Sequence, residues 1–193
     1  KKFIAFTTIL LYDVNRITLP VDENQPINPY INDYVFSKYL AEEITKLYKE
    51  IPIINIRLSN IYGPTKLIRP DLVPTLMQNA LSDGEIEVWS VRPERDFIYV
   101  KDAADAIVSL FKTDYTGHLN LGSGSMHPVG EIVSIVEKLS NRKVKILDVP
   151  VTGPMKFVPD ISLVMKLTGW VPRYSLEEGL TETYNIMKGY THE

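Results

Sequence analysis

Short apolar runs alternate with amphipathic stretches along most of the chain, and this alternation constrains the fold more than any other feature of the sequence. Residues 51–58 form an isoleucine-rich run, which is typical of a β-strand that is covered on both faces. In residues 34–49 the apolar side chains recur at helical spacing. Strands and helices that alternate in this order form βα units around a parallel sheet. The sequence therefore predicts an α/β fold.

The other predicted elements continue this pattern. Ser175 and Glu178 have the spacing of a capping box, and Asp102 is placed to cap the helix that follows it. Residues 60–64 include a glycine and a proline and predict a loop. Strands are predicted at residues 3–6, 86–89, 97–100, 118–121 and 144–149, and helices at about 71–82, 103–111 and 128–140 and from Ser175 onward.

The composition excludes several classes of function. The 193 residues include no cysteine, which excludes disulfides, thiolate metal sites and a cysteine nucleophile. The three histidines, His118, His127 and His192, do not have the spacing of metal ligands. A formal net charge of -3 gives no electrostatic reason to expect a nucleic acid or an anionic membrane as partner. The apolar runs are too short to span a bilayer, and no signal peptide is recognised, so we expect a cytoplasmic protein.

Tyr34 and Lys38 are the residues that most suggest chemistry. They are four positions apart on a predicted helix, which places them on one face about one turn apart. A free tyrosine, with a pKa of about 10, is a poor base, but a neighbouring cation favours the phenolate and can make a general acid/base. An exposed tyrosine and lysine on a solvated helix face have the same spacing, so the pair alone leaves both interpretations open. Thr8 ends the first predicted strand, at the sheet edge where open α/β folds place their active sites.

Seven short motifs follow one another along the chain. They are Phe6-Thr7-Thr8 with Tyr12, Tyr34-x-x-x-Lys38 with a glutamate at 42 or 43, Arg57-x-x-Asn60-x-Tyr62-Gly63-Pro64, Arg95-Asp96-Phe97 leading to Asp102, Asn120-x-Gly122-x-Gly124, Asp160-x-Ser162, and Leu167-x-Gly169-Trp170. In this order they resemble the motifs of the extended short-chain dehydrogenase/reductase family of nucleotide-sugar epimerases and dehydratases. The resemblance extends from residue 3 to about residue 186, and the ordered series is what makes it specific.

The resemblance implies catalytic and cofactor-binding roles. Tyr34 would exchange a proton with a sugar hydroxyl. Lys38 would bind the nicotinamide ribose and lower the pKa of Tyr34, so both residues would also contact the cofactor. Thr8 would hydrogen-bond the same sugar oxygen, and Leu58 would contact the cofactor.

Three further residues are implied to bind the substrate. Asn60 and Arg95 would hold the nucleotide diphosphate, and a guanidinium fork suits phosphate oxygens. The alternative for Arg95 is a structural ion pair with a carboxylate. Trp89 could stack on a base or fill the core of the small lobe, and the sequence does not decide between these roles.

The implied fold is the C-terminal part of a Rossmann-like parallel sheet with a small mixed α/β substrate-binding lobe. Residues 1–65 would form a partial Rossmann-like domain that carries the pair of Tyr34 and Lys38. Residues 66–193 would mostly form the substrate-binding lobe, and one strand–helix unit at about 95–121 would return to the Rossmann-like sheet.

Two departures from the family pattern bear on function. The first glycine of the chain is Gly63, so the glycine-rich loop that holds the cofactor pyrophosphate in this family does not precede Tyr34. We therefore expect that the N-terminal unit of the fold is missing from this sequence. Ile9 and Leu10 stand where sugar 4,6-dehydratases carry an acidic pair, which favours epimerase or reductase chemistry.

The favoured function is epimerisation of a nucleotide-diphosphate sugar by transient hydride transfer, with NAD, or else NADP, as cofactor. Two alternatives stay open: an NADPH-dependent reductase of a nucleotide 4-keto-sugar, and a non-catalytic remnant that binds a sugar nucleotide. The resemblance also implies a homodimer formed through the helix of Tyr34. No metal site is predicted, and neither a nucleic acid nor a membrane is expected as partner.

Overall fold

The computed structural model describes residues 1–67, 70–151 and 153–190. Nine strands and six helices lie within these ranges. The strands are β1 (Phe3–Thr8), β2 (Ile53–Leu58), β3 (Asn60–Tyr62), β4 (Ile86–Val88), β5 (Glu94–Tyr99), β6 (Gly117–Leu121), β7 (Met126–Pro128), β8 (Val144–Ile146) and β9 (Lys156–Phe157). The helices are α1 (Asp33–Thr45), α2 (Leu72–Leu81), α3 (Val100–Leu110), α4 (Val129–Ser140), α5 (Ser162–Thr168) and α6 (Leu176–Tyr190). The predicted α/β class is confirmed.

A parallel sheet of three strands, in the order β1-β2-β6, positions the candidate site. Thr8 pairs with Leu58, and Leu58 pairs with Leu121, so the carboxyl ends of the three strands meet at one edge. The two faces of this sheet differ in chemistry. One face is apolar and packs on α3 and α5 through a core of Ile54, Ile56, Ala103, Ala106, Leu110, Leu119, Leu121 and Val164. The other face carries the buried polar side chains Thr7, Asn55, Arg57 and Asn120, and α1 packs against β1.

A second group of strands forms the remainder of the structure. Strand β5 pairs in parallel with β3 and β9 and antiparallel with β7, while β4 and β8 form a separate parallel pair. A second apolar core includes side chains of α2, α4 and α6. The predicted strand–helix unit at about 95–121 is divided between the two groups of strands. Strand β6 lies in the three-stranded sheet and α3 packs on that sheet, whereas β5 pairs with strands of the second group. The division of the chain into two domains stays a prediction.

Three predicted details are wrong. Residues 60–64 are not only a loop, because Asn60–Tyr62 pairs with β5 as strand β3. Helix α1 ends at Thr45 and not at residue 49, and the residues that follow it up to Ile51 form turns. Asp102 does not cap a helix, since α3 already begins at Val100. The buried Asp102 carboxylate instead accepts the backbone N–H groups of Arg173 and Tyr174, each at 3.0 Å, and so ties α3 to the segment before α6.

Helix α6 begins with the predicted capping box. Ser175 Oγ accepts the N–H of Glu178 at 3.3 Å, and the Glu178 carboxylate accepts the N–H of Ser175 at 2.9 Å. These reciprocal bonds fix the start of the helix that packs on β5 and α4.

Gly179 of α6 lies against Tyr62 of β3. A β-carbon on Gly179 would lie 2.1 Å from Tyr62 Oη and 2.9 Å from Tyr62 Cζ. Tyr62 is buried and packs against Tyr99 with 5.5 Å between ring centroids, so its ring has little room to move. We therefore expect Gly179→Ala to lower the free energy of unfolding by about 1–3 kcal/mol, because overpacking outweighs the higher helix propensity of alanine.

Gly189→Ala is the matched control in the same helix. Among the described residues, and apart from the adjoining backbone of its own helix, no atom lies within 4 Å of the β-carbon that this substitution adds. Alanine at Gly189 should raise the free energy of unfolding by up to about 1 kcal/mol. Urea denaturation measures both variants, and an equal gain in stability at the two positions would contradict the close packing of Gly179 on Tyr62.

Candidate active site

A cavity of about 520 Å³ opens at the carboxyl edge of the three-stranded sheet. Five of the residues predicted from the sequence line this cavity: Thr8, Tyr34, Lys38, Leu58 and Asn60. Residues at the start of α2 also line it. The structure thus brings together both members of the predicted acid/base pair, the strand-end hydroxyl and two of the predicted binding residues.

Helix α1 brings Tyr34 and Lys38 to the cavity. Asn32 caps the helix, since its side-chain oxygen accepts the N–H of Val35 at 2.9 Å. Lys38 Nζ donates to the carbonyl oxygen of Phe6 in β1 at 3.2 Å and lies 5.8 Å from the ring centroid of Tyr34. Tyr34 is 48% exposed, so its hydroxyl is accessible to a ligand in the cavity.

Thr8 is fixed where β1 ends. Its Oγ1 accepts the N–H of Leu10 at 3.2 Å and so begins the single 3-10 turn Ile9–Leu11. The hydroxyl hydrogen of Thr8 remains available because this contact uses only the oxygen as an acceptor. Ile9 and Leu10 also line the cavity, and neither side chain can transfer a proton.

Asn60 lies on β3, and its Nδ2 donates to the carbonyl oxygen of Asp96 at 2.8 Å. The carboxylate of Asp96 is fully buried and accepts the N–H and the hydroxyl of Ser123 at 3.0 and 2.9 Å. Burial raises the pKa of Asp96. Asp96 is therefore a structural tie between β5 and the loop after β6, and it does not line the cavity.

Trp89 lines a second cavity, of about 480 Å³, whose walls also include Val88, Val129 and Val151. The indole is 65% exposed, so it does not fill the core of the lobe. The two cavities share Asp71 and Leu72 at the start of α2, and they are therefore neighbours.

Arg95 lies on β5, outside the linings of both cavities. Alternation along the strand places it on the same face as Phe97, which does line the first cavity. Its Nη1 donates to the carbonyl oxygen of Glu94 at 3.1 Å, and burial lowers its pKa. No carboxylate among the described residues forms an ion pair with Arg95, so the structure gives no support to the interpretation of Arg95 as a structural ion-pair partner.

A buried ionic cluster between α1 and the sheet lies beside the site and was not predicted from the sequence. Arg57 donates to both carboxylate oxygens of Glu42, from Nε at 3.0 Å and from Nη2 at 2.8 Å. Thr7 Oγ1 donates to Glu42 Oε1 at 2.8 Å. The guanidinium of Arg57 also lies 5.0 Å from the ring centroid of Tyr12. The spacing of Tyr34, Lys38 and Glu42, four residues each, is the signal that could have placed Glu42 on the sheet-facing side of the helix.

His118 of β6 adjoins this cluster. Its Nδ1 lies 3.2 Å from Glu42 Oε2 but forms no aligned hydrogen bond there. Burial lowers the pKa of His118 below its ordinary value, since desolvation and the charge of Arg57 together outweigh the attraction of the Glu42 carboxylate. The folded chain thus favours the neutral imidazole.

The lowered pKa of His118 predicts a loss of stability in acid. Below the ordinary histidine pKa of about 6.5, the unfolded chain binds a proton at His118 that the folded chain resists, so the free energy of unfolding falls as the pH falls. His118→Gln should reduce this dependence between about pH 7 and pH 5. His127→Gln, at a histidine that pairs with Glu131 on the surface, is the control. Urea denaturation at the two pH values measures the difference, and an unchanged dependence in His118→Gln would contradict the assignment.

Neither a metal centre nor a membrane span is found in the described part of the chain. No group of three or more histidine, aspartate or glutamate side chains within residues 1–67, 70–151 and 153–190 is placed to hold a metal ion. No helix in these ranges has the length and apolar character needed to cross a membrane.

Comparison with known proteins defines the class to which this fold and site belong. Residues 1–122 match the NAD dependent epimerase/dehydratase family. A Methanocaldococcus jannaschii protein provisionally named as a UDP-glucose 4-epimerase is 33% identical over 179 residues, covering 88% of this chain and 57% of the relative. The GDP-L-fucose synthase of Sinorhizobium fredii is 31% identical over 175 residues, covering 82% of this chain and 55% of the relative.

The fold agrees with these matches. The crystal structure of the UDP-glucose 4-epimerase from Thermotoga maritima with UDP-glucose superposes on the whole chain with a TM-score of 0.89 and 25% identity, and this chain covers 65% of it. The chain spans just over half the length of these two curated relatives. This protein belongs to the NAD-dependent epimerase/dehydratase family, within the extended short-chain dehydrogenase/reductases.

Proposed function

We propose that the chain supplies the acid/base pair and the sugar-binding surface of an enzyme that epimerises a nucleotide-diphosphate sugar by transient hydride transfer. One observation carries this proposal: Thr8, Tyr34 and Lys38 line a single cavity at the carboxyl edge of a parallel sheet. A phenol beside an ammonium can transfer a proton to and from a sugar oxygen, and a neighbouring hydroxyl can hydrogen-bond that oxygen.

The residues of this chain fit the nicotinamide end of NAD. Leu58 pairs with Thr8 in the sheet and lines the cavity, so it offers an apolar contact to a planar ring. Lys38 Nζ lies at the same edge and can donate to ribose hydroxyls in addition to its bond with Phe6. No glycine precedes Gly63, so a glycine-rich pyrophosphate loop is not part of this sequence. Bound at this edge by Leu58 and Lys38, NAD would supply reversible hydride transfer to the sugar carbon.

Each lining residue has a defined task in this proposal. Tyr34 takes the proton of the sugar hydroxyl as the carbon is oxidised and returns it on reduction. Thr8 donates its free hydroxyl hydrogen to the same oxygen. Ile9 and Leu10 add no second acid or base, which supports epimerisation over loss of water.

The neighbouring cavity supports a nucleotide as the other half of the substrate. The exposed indole of Trp89 offers a flat face on which a base can stack. Asn60 lines the first cavity from β3, and Arg95 has no carboxylate partner among the described residues. We assign Asn60 and Arg95 to the diphosphate, since a guanidinium that is not neutralised suits phosphate oxygens.

Product analysis tests the proposed function. The full-length protein is incubated with UDP- and GDP-hexoses without added reductant, and the nucleotide sugars are separated by chromatography. The proposal predicts that an epimer forms from at least one substrate with no net change in the absorbance of reduced nicotinamide. Absence of any epimer across both nucleotide series would contradict it.

The match to GDP-L-fucose synthase favours a second candidate, an NADPH-dependent reductase of a nucleotide 4-keto-sugar. The same Tyr34, Lys38 and Thr8 would serve this reaction. A reductase consumes one NADPH for each product formed, whereas the epimerase recycles its cofactor. Stoichiometric oxidation of NADPH with a 4-keto-sugar substrate would therefore select the reductase.

We also propose a homodimer through α1. The helix exposes Phe36, Leu40 and Ile44 along one side. A contiguous exposed apolar stripe of this kind is typical of a protein–protein interface. Static light scattering of the full-length protein measures the mass directly, and a monomer would contradict this contact.

A further inference from the structure

Helix α1 carries the proposed acid/base pair, yet apolar packing holds it only weakly on the sheet. Of its thirteen residues, only Val35 and Glu42 are buried. Helix α4, with twelve residues, buries five apolar side chains. Polar contacts therefore contribute much of the attachment of α1 to the sheet: Lys38 bonds to Phe6 O, Thr45 accepts from Asn55, and one buried carboxylate, that of Glu42, makes the largest number of bonds.

The Glu42 carboxylate is held from two strands at once. Thr7 of β1 and Arg57 of β2 are neighbours in the sheet register, and both donate to it. Glu42 is 1% exposed and Arg57 is 4% exposed, so water competes little with these bonds. Hydrogen bonds to a carboxylate are directional, and three of them fix both the rotation of α1 and its position along the strands.

Helix α1 connects the Glu42 carboxylate to the residues that line the cavity. Lys38 lies one turn before Glu42 and Tyr34 one turn before Lys38, so all three lie near one face. Lys38 Nζ bonds to Phe6 O, the carbonyl next to Thr7, at 3.2 Å. A rotation or slide of α1 would break this bond and would move the Tyr34 hydroxyl away from Thr8.

We infer that Glu42, bound by Arg57 and Thr7, is a positioning residue that sets the place of Tyr34 and Lys38 at the sheet edge. The expected effect on turnover rests on the proposed function. The role of Glu42 in holding α1 on the sheet does not depend on that function. Catalysis is sensitive to such placement, because a misplacement of about 1 Å can cost about 100-fold in rate.

The first test compares Glu42→Gln with Glu43→Gln in the full-length protein. Glu43 is the next residue of α1 and pairs with Lys46 at the surface, so its substitution is a matched control. We expect Glu42→Gln to speed hydrogen–deuterium exchange in residues 35–45 but not in α4, and to lower kcat about 10- to 100-fold with little change in KM for the nucleotide sugar. Glu43→Gln should change neither quantity.

The second test separates positioning from mere stability. Glu42→Leu/Arg57→Met replaces the buried pair with apolar side chains of similar size, an exchange that commonly preserves or raises stability. We expect this double variant to regain thermal stability relative to Glu42→Gln without regaining kcat. Recovery of kcat together with stability would overturn the inference, as would unchanged exchange in α1 of Glu42→Gln.

The two proposals fail in different ways. If Tyr34→Phe keeps full activity, the proposed function is wrong, while the exchange rates of α1 still test the role of Glu42. If Tyr34→Phe is inactive and Glu42→Gln has both normal exchange and normal kcat, only the positioning role is wrong. In a Tyr34→Phe background, Glu42→Gln should cause a smaller further loss of kcat than it causes alone, because part of its effect acts through the Tyr34 hydroxyl. Full additivity of the two losses would overturn the positioning role.

Discussion

Replacing Tyr34 with phenylalanine should lower kcat of the full-length enzyme by about 10²- to 10⁴-fold, the range that general acid/base groups contribute. The substitution removes the hydroxyl that we propose exchanges the proton and leaves the ring in place. Stability should change little, because the side chain is half exposed and its hydroxyl makes no hydrogen bond to a described residue. Steady-state kinetics and thermal denaturation measure the two effects separately.

Tyr30→Phe is the control for this experiment. Tyr30 lies just before the same helix, stacks on Phe36 and is 78% exposed, but it does not line the cavity. It should keep full activity. If Tyr34→Phe also retains most of its activity, Tyr34 is not the acid/base.

Lys38→Ala should weaken both turnover and cofactor binding. Hydrogen bonds to charged groups contribute about 1.5–3 kcal/mol, so losing the proposed contact of Nζ with the ribose should raise Kd for NAD by about 10- to 100-fold. The ammonium also lies 5.8 Å from the ring centroid of Tyr34, where its positive charge favours the phenolate. Its removal should therefore lower kcat as well. Isothermal titration calorimetry with NAD and steady-state kinetics measure the two effects.

Lys49→Ala controls for the loss of a positive charge near the same helix. Lys49 is exposed and lies away from the cavity. Calorimetry should give the same Kd for this variant as for the unaltered enzyme. A normal affinity for NAD in Lys38→Ala would contradict the double role of Lys38 even if kcat falls.

The elements with strong local signals could be predicted from the sequence. The isoleucine-rich strand β2 is covered on one face by α3 and α5, where Ile54 and Ile56 pack, and its other face carries Asn55 and Arg57, which bond to α1. The capping box at Ser175 correctly marks the start of α6. The short strands β3, β7 and β9 escaped prediction because each has only two or three residues and exists through pairing with β5, which is distant in sequence.

The residues of the candidate site could be predicted where their spacing along a helix or their place at a strand end fixes their position. Tyr34 and Lys38 lie one helical turn apart, and Thr8 ends a strand, so sequence and topology together place them at one edge. The ionic cluster of Glu42 and Arg57 was not predictable in the same way. A glutamate at position 42 or 43 matches the family pattern. The four-residue spacing from Lys38 favours Glu42, but its pairing with Arg57 becomes evident only from the packing of α1 on β2.

The most direct test of the account is the fate of hydrogen at the inverted carbon. The full-length enzyme is given its nucleotide sugar in D₂O, and the epimer is analysed by NMR and mass spectrometry. Hydride transfer to and from a bound cofactor keeps the original hydrogen on that carbon, so the account predicts an epimer with no deuterium there. Deuterium at the inverted carbon would show that solvent supplies the hydrogen, and it would contradict a reaction in which Tyr34 moves only the proton on oxygen.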